Sequence, residues 1–145
     1  MRSTNNYLNP EDFDRVIYAI PSLRIRKWMD DDVEMLFRIL YWCALRPIEG
    51  IRLSKEDFDL ESRKVYLGRT KTHVNDVAPI PMVFISELQS YLHTKESGRL
   101  FEGLTYNTFY LWLKRLGKIL DIPSWVTLQK DTGEKTVGHI FRKSI

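Results

Sequence analysis

The fold is decided by residues 40–54, LYWCALRPIEGIRLS, in which an apolar segment runs into Leu-Arg-Pro. Apolar residues recur at helical spacing from Val33 up to this segment, which predicts a long helix with a broad buried face. Pro47 cannot continue that helix but suits the first turn of the next one, predicted over residues 48–53. Arg46 is therefore expected at the junction of two helices, beside the outward-facing N–H groups of a helix start.

Two short β-type runs follow this junction, at residues 64–67 and 77–80. An Asn-Asp pair between them supplies turn chemistry, so the two runs predict a hairpin. Lys71 falls at the end of the first strand or in the turn. Pro79 indicates that the second strand lies at a sheet edge or ends there, because proline cannot donate a hydrogen bond to a strand ladder.

The remaining elements are predicted to be mostly helical. Helices are expected to start at Asn9, Asp30, Phe84 and Thr105, the first ending at Pro21, and a short strand or turn is expected at residues 57–60. The acidic run at residues 30–32 is interpreted as helix capping, since no further ligands follow at the spacing of a calcium loop. The predicted class is α+β, mostly helical with a small antiparallel sheet, in a single domain spanning residues 1–145.

The composition argues against several classes of protein. The lone Cys43 provides no disulfide framework and is expected in the core of a protein from a reducing compartment. It lacks metal-ligand spacing with His73, His93 and His139, so neither a metal nor another cofactor is expected. No run is long enough to span a membrane and the N-terminus has no signal-peptide pattern, which predicts a cytoplasmic location.

Charge is distributed unevenly along the chain. Residues 1–62 contain 9 Lys or Arg and 12 Asp or Glu, a net charge of −3, whereas residues 63–145 contain 13 and 7, a net charge of +6. A basic half of a chain suggests a polyanionic partner, most simply nucleic acid.

Three motifs, in this order, resemble those of the tyrosine recombinase (integrase) family. Residues 40–60 are similar to the family's box around its first catalytic arginine, where an apolar helix ends in Leu-Arg and a Glu follows three residues later. Residues 70–72 and 77–81 resemble the catalytic β-hairpin, and residues 139–142 resemble the His-x-x-Arg box. A lone His-x-x-Arg is a weak signal, but the ordered set is much stronger.

The resemblance implies the catalytic-domain fold of that family and a chemistry in which a tyrosine attacks a DNA phosphodiester to give a 3′-phosphotyrosyl link. By resemblance, Arg46 and Arg142 clamp the phosphate, a task for which planar guanidinium groups are suited. Lys71 protonates the leaving 5′-oxygen, and His139 assists proton transfer or holds the phosphate. Glu49 orients Arg46. The implied partners are double-stranded DNA and further recombinase protomers, with no metal or membrane required.

The family's nucleophilic tyrosine lies well downstream of its His-x-x-Arg box, whereas this sequence ends three residues after Arg142. None of the chain's seven tyrosines lies in that place: Tyr7, Tyr18, Tyr41, Tyr66, Tyr91, Tyr106 and Tyr110. The expectation is a catalytic-domain fragment that lacks its C-terminal segment, with no nucleophile assigned. Two alternatives stay open: a non-catalytic DNA-binding or regulatory relative of a recombinase, and a helical protein-interaction domain unrelated to DNA.

Overall fold

The computed structural model describes residues 9–67 and 76–121, and helices account for 59% of them. A small three-stranded antiparallel sheet accompanies the helices, which confirms the predicted α+β class. The helices are α1 (Pro10–Ala19), α2 (Asp30–Trp42), α3 (Pro47–Ile51), α4 (Met82–His93) and α5 (Tyr106–Leu120), and the strands are β1 (Phe58–Asp59), β2 (Lys64–Tyr66) and β3 (Val77–Pro79). Within these two ranges no helix has the length and apolar character needed to cross a membrane.

The start of α1 confirms the predicted capping, but its end differs from the prediction. The Asn9 side chain accepts a hydrogen bond from the Asp12 backbone N–H at 2.8 Å, and Pro10 occupies the first turn. The α-helix ends at Ala19 rather than at Pro21, which lies inside a 3₁₀ turn over Ile20–Leu23. The tighter turn lets the chain continue past the proline because its early positions need no backbone donor.

The acidic run at residues 30–32 was predicted to cap α2, but it lies inside the helix. The N-cap residue is Met29, and the three aspartates, Asp30 to Asp32, occupy the first turn. There their charges favour the positive end of the helix dipole. Asp32 also accepts a hydrogen bond from the Tyr91 hydroxyl at 2.7 Å and pairs with the Lys95 ammonium at 2.6 Å. The run therefore stabilises the helix start and ties it to α4.

Helix α2 is the central element, as its apolar pattern predicted. Its residues Phe37 and Leu40 are fully buried, and the Phe37 ring lies 5.2 Å from the Phe109 ring of α5. Tyr41 stacks on Phe13 of α1 with ring centroids 4.0 Å apart. Together these contacts pack α2 against both α1 and α5, so the end of α2 is held firmly where the candidate site begins.

Cys43 confirms its prediction as a core residue, since it is a free cysteine with 2% of its surface exposed. Burial raises the pKa of its thiol to about 12, because the apolar surroundings disfavour the charged thiolate. The thiol therefore stays protonated at neutral pH and acts as a small apolar side chain.

The sheet has the order β1-β2-β3, so β3 lies at an edge of the described sheet as Pro79 predicted. Backbone bonds join Leu67 N–H to Asp76 O at 3.1 Å and Ile80 N–H to Arg63 O at 2.9 Å. In an antiparallel ladder, hydrogen-bonded pairs of residues alternate with pairs that are not hydrogen-bonded. Arg63 and Ile80 form a hydrogen-bonded pair, so the next pair, Lys64 and Pro79, is not hydrogen-bonded, and the Pro79 nitrogen points away from β2. The missing N–H of this proline therefore removes no bond from the sheet.

Candidate functional site

Arg46 lies at a sharp turn between α2 and α3, as predicted. Two residues beyond the end of α2, Ala44 adopts the left-handed conformation at φ 58°, and the Leu45 N–H donates to Leu40 O at 3.1 Å. This six-to-one bond is that of a Schellman motif, which closes a helix and turns the chain away from its axis. Leu45 is fully buried, so the residue before Arg46 is anchored in the core.

The alanine in this turn leads to a stability prediction. The left-handed conformation costs a non-glycine residue about 1–2 kcal/mol. Glycine avoids this cost, but it loses more conformational entropy on folding, so only part of the roughly 1–2 kcal/mol is gained in stability. We therefore expect Ala44→Gly to raise the free energy of unfolding by about 0.5–1 kcal/mol, measured by urea denaturation. Ala19→Gly is the control: Ala19 has an ordinary negative φ at the end of α1, so glycine there is expected to destabilise. Equal losses in both variants would contradict the prediction.

Arg46 itself is the N-cap residue of α3, with φ −73° and ψ 150°. The extended conformation follows from the next residue, because Pro47 disfavours helical geometry in the residue before it. The Glu49 carboxylate accepts a hydrogen bond from the Arg46 backbone N–H at 2.8 Å. The Arg46 carbonyl in turn accepts from the N–H groups of Glu49 and Gly50 at 3.0 and 3.1 Å. Glu49 thus holds the backbone of Arg46.

Gly50 sets how closely α3 approaches α2. A Cβ atom on Gly50 would lie 2.5 Å from Cδ2 of Leu40 and 3.3 Å from Cδ1 of Leu36. Both leucines are fully buried and packed on the core, so the absence of a side chain at Gly50 permits this contact. The short helix that begins at Arg46 is therefore seated directly on the central helix.

The Arg46 side chain is exposed. Over residues 9–67 and 76–121, no carboxylate pairs with its guanidinium, and Glu49 contacts the backbone N–H instead. An arginine whose backbone is fixed and whose guanidinium has no described counter-ion is suited to bind an external anion. The two parallel N–H donors of a guanidinium match two oxygens of a phosphate best.

The other three predicted site residues, Lys71, His139 and Arg142, lie outside the described residues. The structure therefore places Arg46 and does not test whether the four groups meet. It does show that the two residues flanking the segment that contains Lys71 are close together, because Leu67 and Asp76 are joined by a backbone hydrogen bond of 3.1 Å.

Tyr41, Tyr91 and Tyr110 are core residues, with exposed fractions of 6%, 9% and 6%. Burial raises the pKa of Tyr91, with further contributions from its hydrogen bond to Asp32 and from the charges of Asp32 and Asp31. Burial, and then the charge of Asp14, also raises the pKa of Tyr41. Because a nucleophilic phenolate is disfavoured at such sites, Tyr41 and Tyr91 are poorly suited to attack a phosphate.

Sequence reasoning missed a charged groove of about 540 Å³ that lies between α2 and α4. Arg38 pairs there with Glu87 at 3.1 Å and with Glu34 at 3.6 Å, beside the pair of Lys95 with Asp32. These bridges satisfy most of the groove's charges and join the two helices, which gives them a structural role. The contacts between the two helices link residues far apart in the chain, so no local pattern could reveal them.

His93 is exposed at the end of α4, and His73 and His139 lie outside the described ranges. Among the side chains that the structure describes, no group of three or more His, Cys, Asp or Glu residues is arranged to hold a metal ion.

Comparison with known proteins gives no assignment for this chain. No protein-family model matches the sequence, and a search of curated proteins finds no significant match. The features that bear on function are therefore the residues themselves: an arginine presented at a helix junction, and the paired strands that flank the segment containing Lys71.

Proposed function

We propose that this chain is a catalytic-domain fragment of a site-specific DNA recombinase or integrase of the tyrosine recombinase type, and that it binds the scissile phosphate of double-stranded DNA. We also propose that the mostly helical arrangement described above is the fold of that catalytic domain. The observation that carries it is Arg46, whose backbone is fixed at the α2–α3 junction while its guanidinium is exposed without a described counter-ion.

The proposed chemistry explains why such an arginine is needed. When a tyrosine oxygen attacks the phosphorus, negative charge concentrates on the non-bridging oxygens as the 5′-oxygen departs. Arg46, joined by Arg142, stabilises that charge through paired N–H donors, and a pre-positioned donor costs no reorganisation during reaction. Lys71 provides the proton that the leaving 5′-oxygen takes up, and His139 supports proton transfer or holds the phosphate. These cations supply the electrostatic stabilisation, so the proposal includes no cofactor.

The proposal predicts a specific loss of DNA affinity in an Arg46→Ala variant. Loss of a charge-assisted phosphate contact is expected to weaken duplex binding about tenfold, and to reduce the slope of log affinity against log salt by about one. Fluorescence anisotropy of a labelled duplex across a salt series measures both quantities. Arg46→Lys is expected to keep the salt slope but recover part of the affinity only, since an ammonium cannot grip two oxygens in parallel.

Arg52→Ala is the matched control, because Arg52 is also exposed and lies at the opposite end of α3. The Arg52→Ala substitution removes the same single positive charge as Arg46→Ala. If Arg46 makes a specific contact with DNA, the loss of DNA affinity is smaller in the Arg52→Ala variant. Equal losses would indicate general attraction to a polyanion and contradict the assignment. The absence of salt-dependent binding to duplex DNA would favour a helical protein-interaction domain unrelated to DNA.

The burial of Tyr41, Tyr91 and Tyr110 leaves these three unsuited as nucleophiles, which also fits a second candidate, a non-catalytic DNA-binding or regulatory relative of a recombinase. Such a protein would use the same Arg46 contact without cleaving DNA. The coding sequence beyond Ile145 distinguishes the two candidates. A helix with His or Trp followed by Tyr belongs to an enzyme, whereas a stop codon indicates the non-catalytic relative.

A further inference from the structure

We propose that Arg99 is a positioning residue for Arg46: it holds the C-terminal end of α3 and thereby fixes the helix start from which Arg46 reaches DNA. This inference rests on the proposed function, because it concerns the same phosphate contact. Arg99 belongs to none of the motifs that resemble the recombinase family, and it lies in the connection between α4 and α5.

The contact that suggests this role joins Arg99 to the last residue of α3. Nη2 of Arg99 donates a hydrogen bond to the Ile51 carbonyl oxygen at 3.1 Å. Carbonyl groups in the last turn of a helix have no intrahelical donor, and they carry the negative end of the helix dipole. A cationic donor at this position satisfies one such carbonyl and stabilises the helix electrostatically.

Helix α3 needs such support because it has five residues, far fewer than a helix requires to be stable alone. Its first turn is held by the Glu49 carboxylate, and Gly50 is seated against Leu40. Arg99 supplies the support at the opposite end from Arg46, and it does so from 48 residues further along the chain. The two ends of one helical turn are thus fixed by different parts of the protein.

The segment that carries Arg99 is itself anchored to the chain that follows α3. Ser54 and Arg99 form an antiparallel β-bridge, flanked by bonds from Lys55 N–H to Gly98 O at 2.9 Å and from Leu100 N–H to Leu53 O at 3.0 Å. The Glu56 carboxylate also accepts from the Gly98 N–H at 3.0 Å. Because its backbone is held on both sides, Arg99 can restrain α3 rather than move with it.

Amide hydrogen exchange tests the positioning role without DNA. The Gly50 N–H donates to the Arg46 carbonyl, so its exchange rate reports directly on the backbone of Arg46. We expect Arg99→Ala to speed exchange at Gly50 and Leu53 roughly fivefold, the change expected from loss of one hydrogen bond. Arg99→Lys retains a cationic donor and is expected to restore part of the protection. Arg52→Ala removes a neighbouring charge without removing this bond, and is expected to leave exchange unchanged.

DNA affinity, measured in a double-mutant cycle, tests whether Arg99 acts through Arg46. We expect Arg99→Ala to weaken duplex binding about threefold when Arg46 is present and to have no effect in the Arg46→Ala background, since coupled residues are non-additive. Equal weakening in both backgrounds would mean that Arg99 contacts DNA by itself, which overturns the inference. Unchanged exchange and unchanged affinity would overturn it as well, provided that Arg46→Ala weakens binding. If Arg46→Ala has no effect, the proposed function fails, while the exchange experiment still decides whether Arg99 holds α3.

Discussion

Gly50→Val is expected to lower the free energy of unfolding by about 3 kcal/mol, because its first side-chain atom has no room against α2. The Cβ position lies 2.5 Å from Leu40 Cδ2, and Leu40 is fully buried, so the leucine cannot swing away into solvent. Valine adds two further carbon atoms that drive α3 away from the central helix. The resulting strain is expected to lower the melting temperature by about 10 °C.

Thermal denaturation followed by circular dichroism measures this loss. Ile48→Val provides the matched control, since Ile48 lies in the same helix with 39% of its surface exposed. That variant also places a valine in α3 but removes a carbon atom instead of adding any, so its effect is expected within about 0.5 kcal/mol. A Gly50→Val protein as stable as the control would show that α3 is not seated on α2 as described.

Leu45→Ala is expected to be comparably destabilising, by about 3 kcal/mol, through loss of a buried side chain and the cavity left behind. Leu45 is fully buried, and its N–H closes the Schellman turn on Leu40. Because Leu45 directly precedes Arg46, the variant should also loosen the anchor that directs the arginine outward. We therefore expect weaker duplex binding even at temperatures where the variant remains folded.

Chemical denaturation gives the stability of this variant, and anisotropy at low temperature gives its DNA affinity. Leu45→Met nearly conserves the side-chain volume, so it is expected to cost less than about 1.5 kcal/mol and to retain affinity. Leu45→Ala would contradict the anchoring role if it lost stability but bound DNA as tightly as the unaltered protein.

Much of the described fold could be predicted because its signals are local. Pro47 and the apolar spacing of α2 located the junction at Arg46, and Asn9 and Thr105 were predicted as helix starts. The Asn9 and Thr105 side chains do accept the capping hydrogen bonds expected of them. Such signals act within one helical turn, so a single sequence is sufficient to detect them.

The features that escaped prediction depend on contacts between distant segments or on unusual backbone conformations. The turn at Ala44 was not foreseen, because alanine rarely adopts a positive φ and a glycine would be the usual signal. The Arg99–Ile51 hydrogen bond and the Arg38–Glu87 ion pair connect residues whose proximity is set by packing of whole helices. For the candidate site, the position of Arg46 followed from local rules, whereas its meeting with Lys71, His139 and Arg142 stays a prediction.

The orientation of Pro79 limits how other molecules can associate with this protein. At the outer side of β3, an additional strand would need backbone donors in register, and Pro79 offers none. Edge-to-edge pairing between two copies would therefore lack a hydrogen bond at this position, which protects the sheet from aggregation. A partner that approaches this edge of the described sheet finds one main-chain donor fewer, so its binding there depends more on charge and shape than pairing at an edge without proline would.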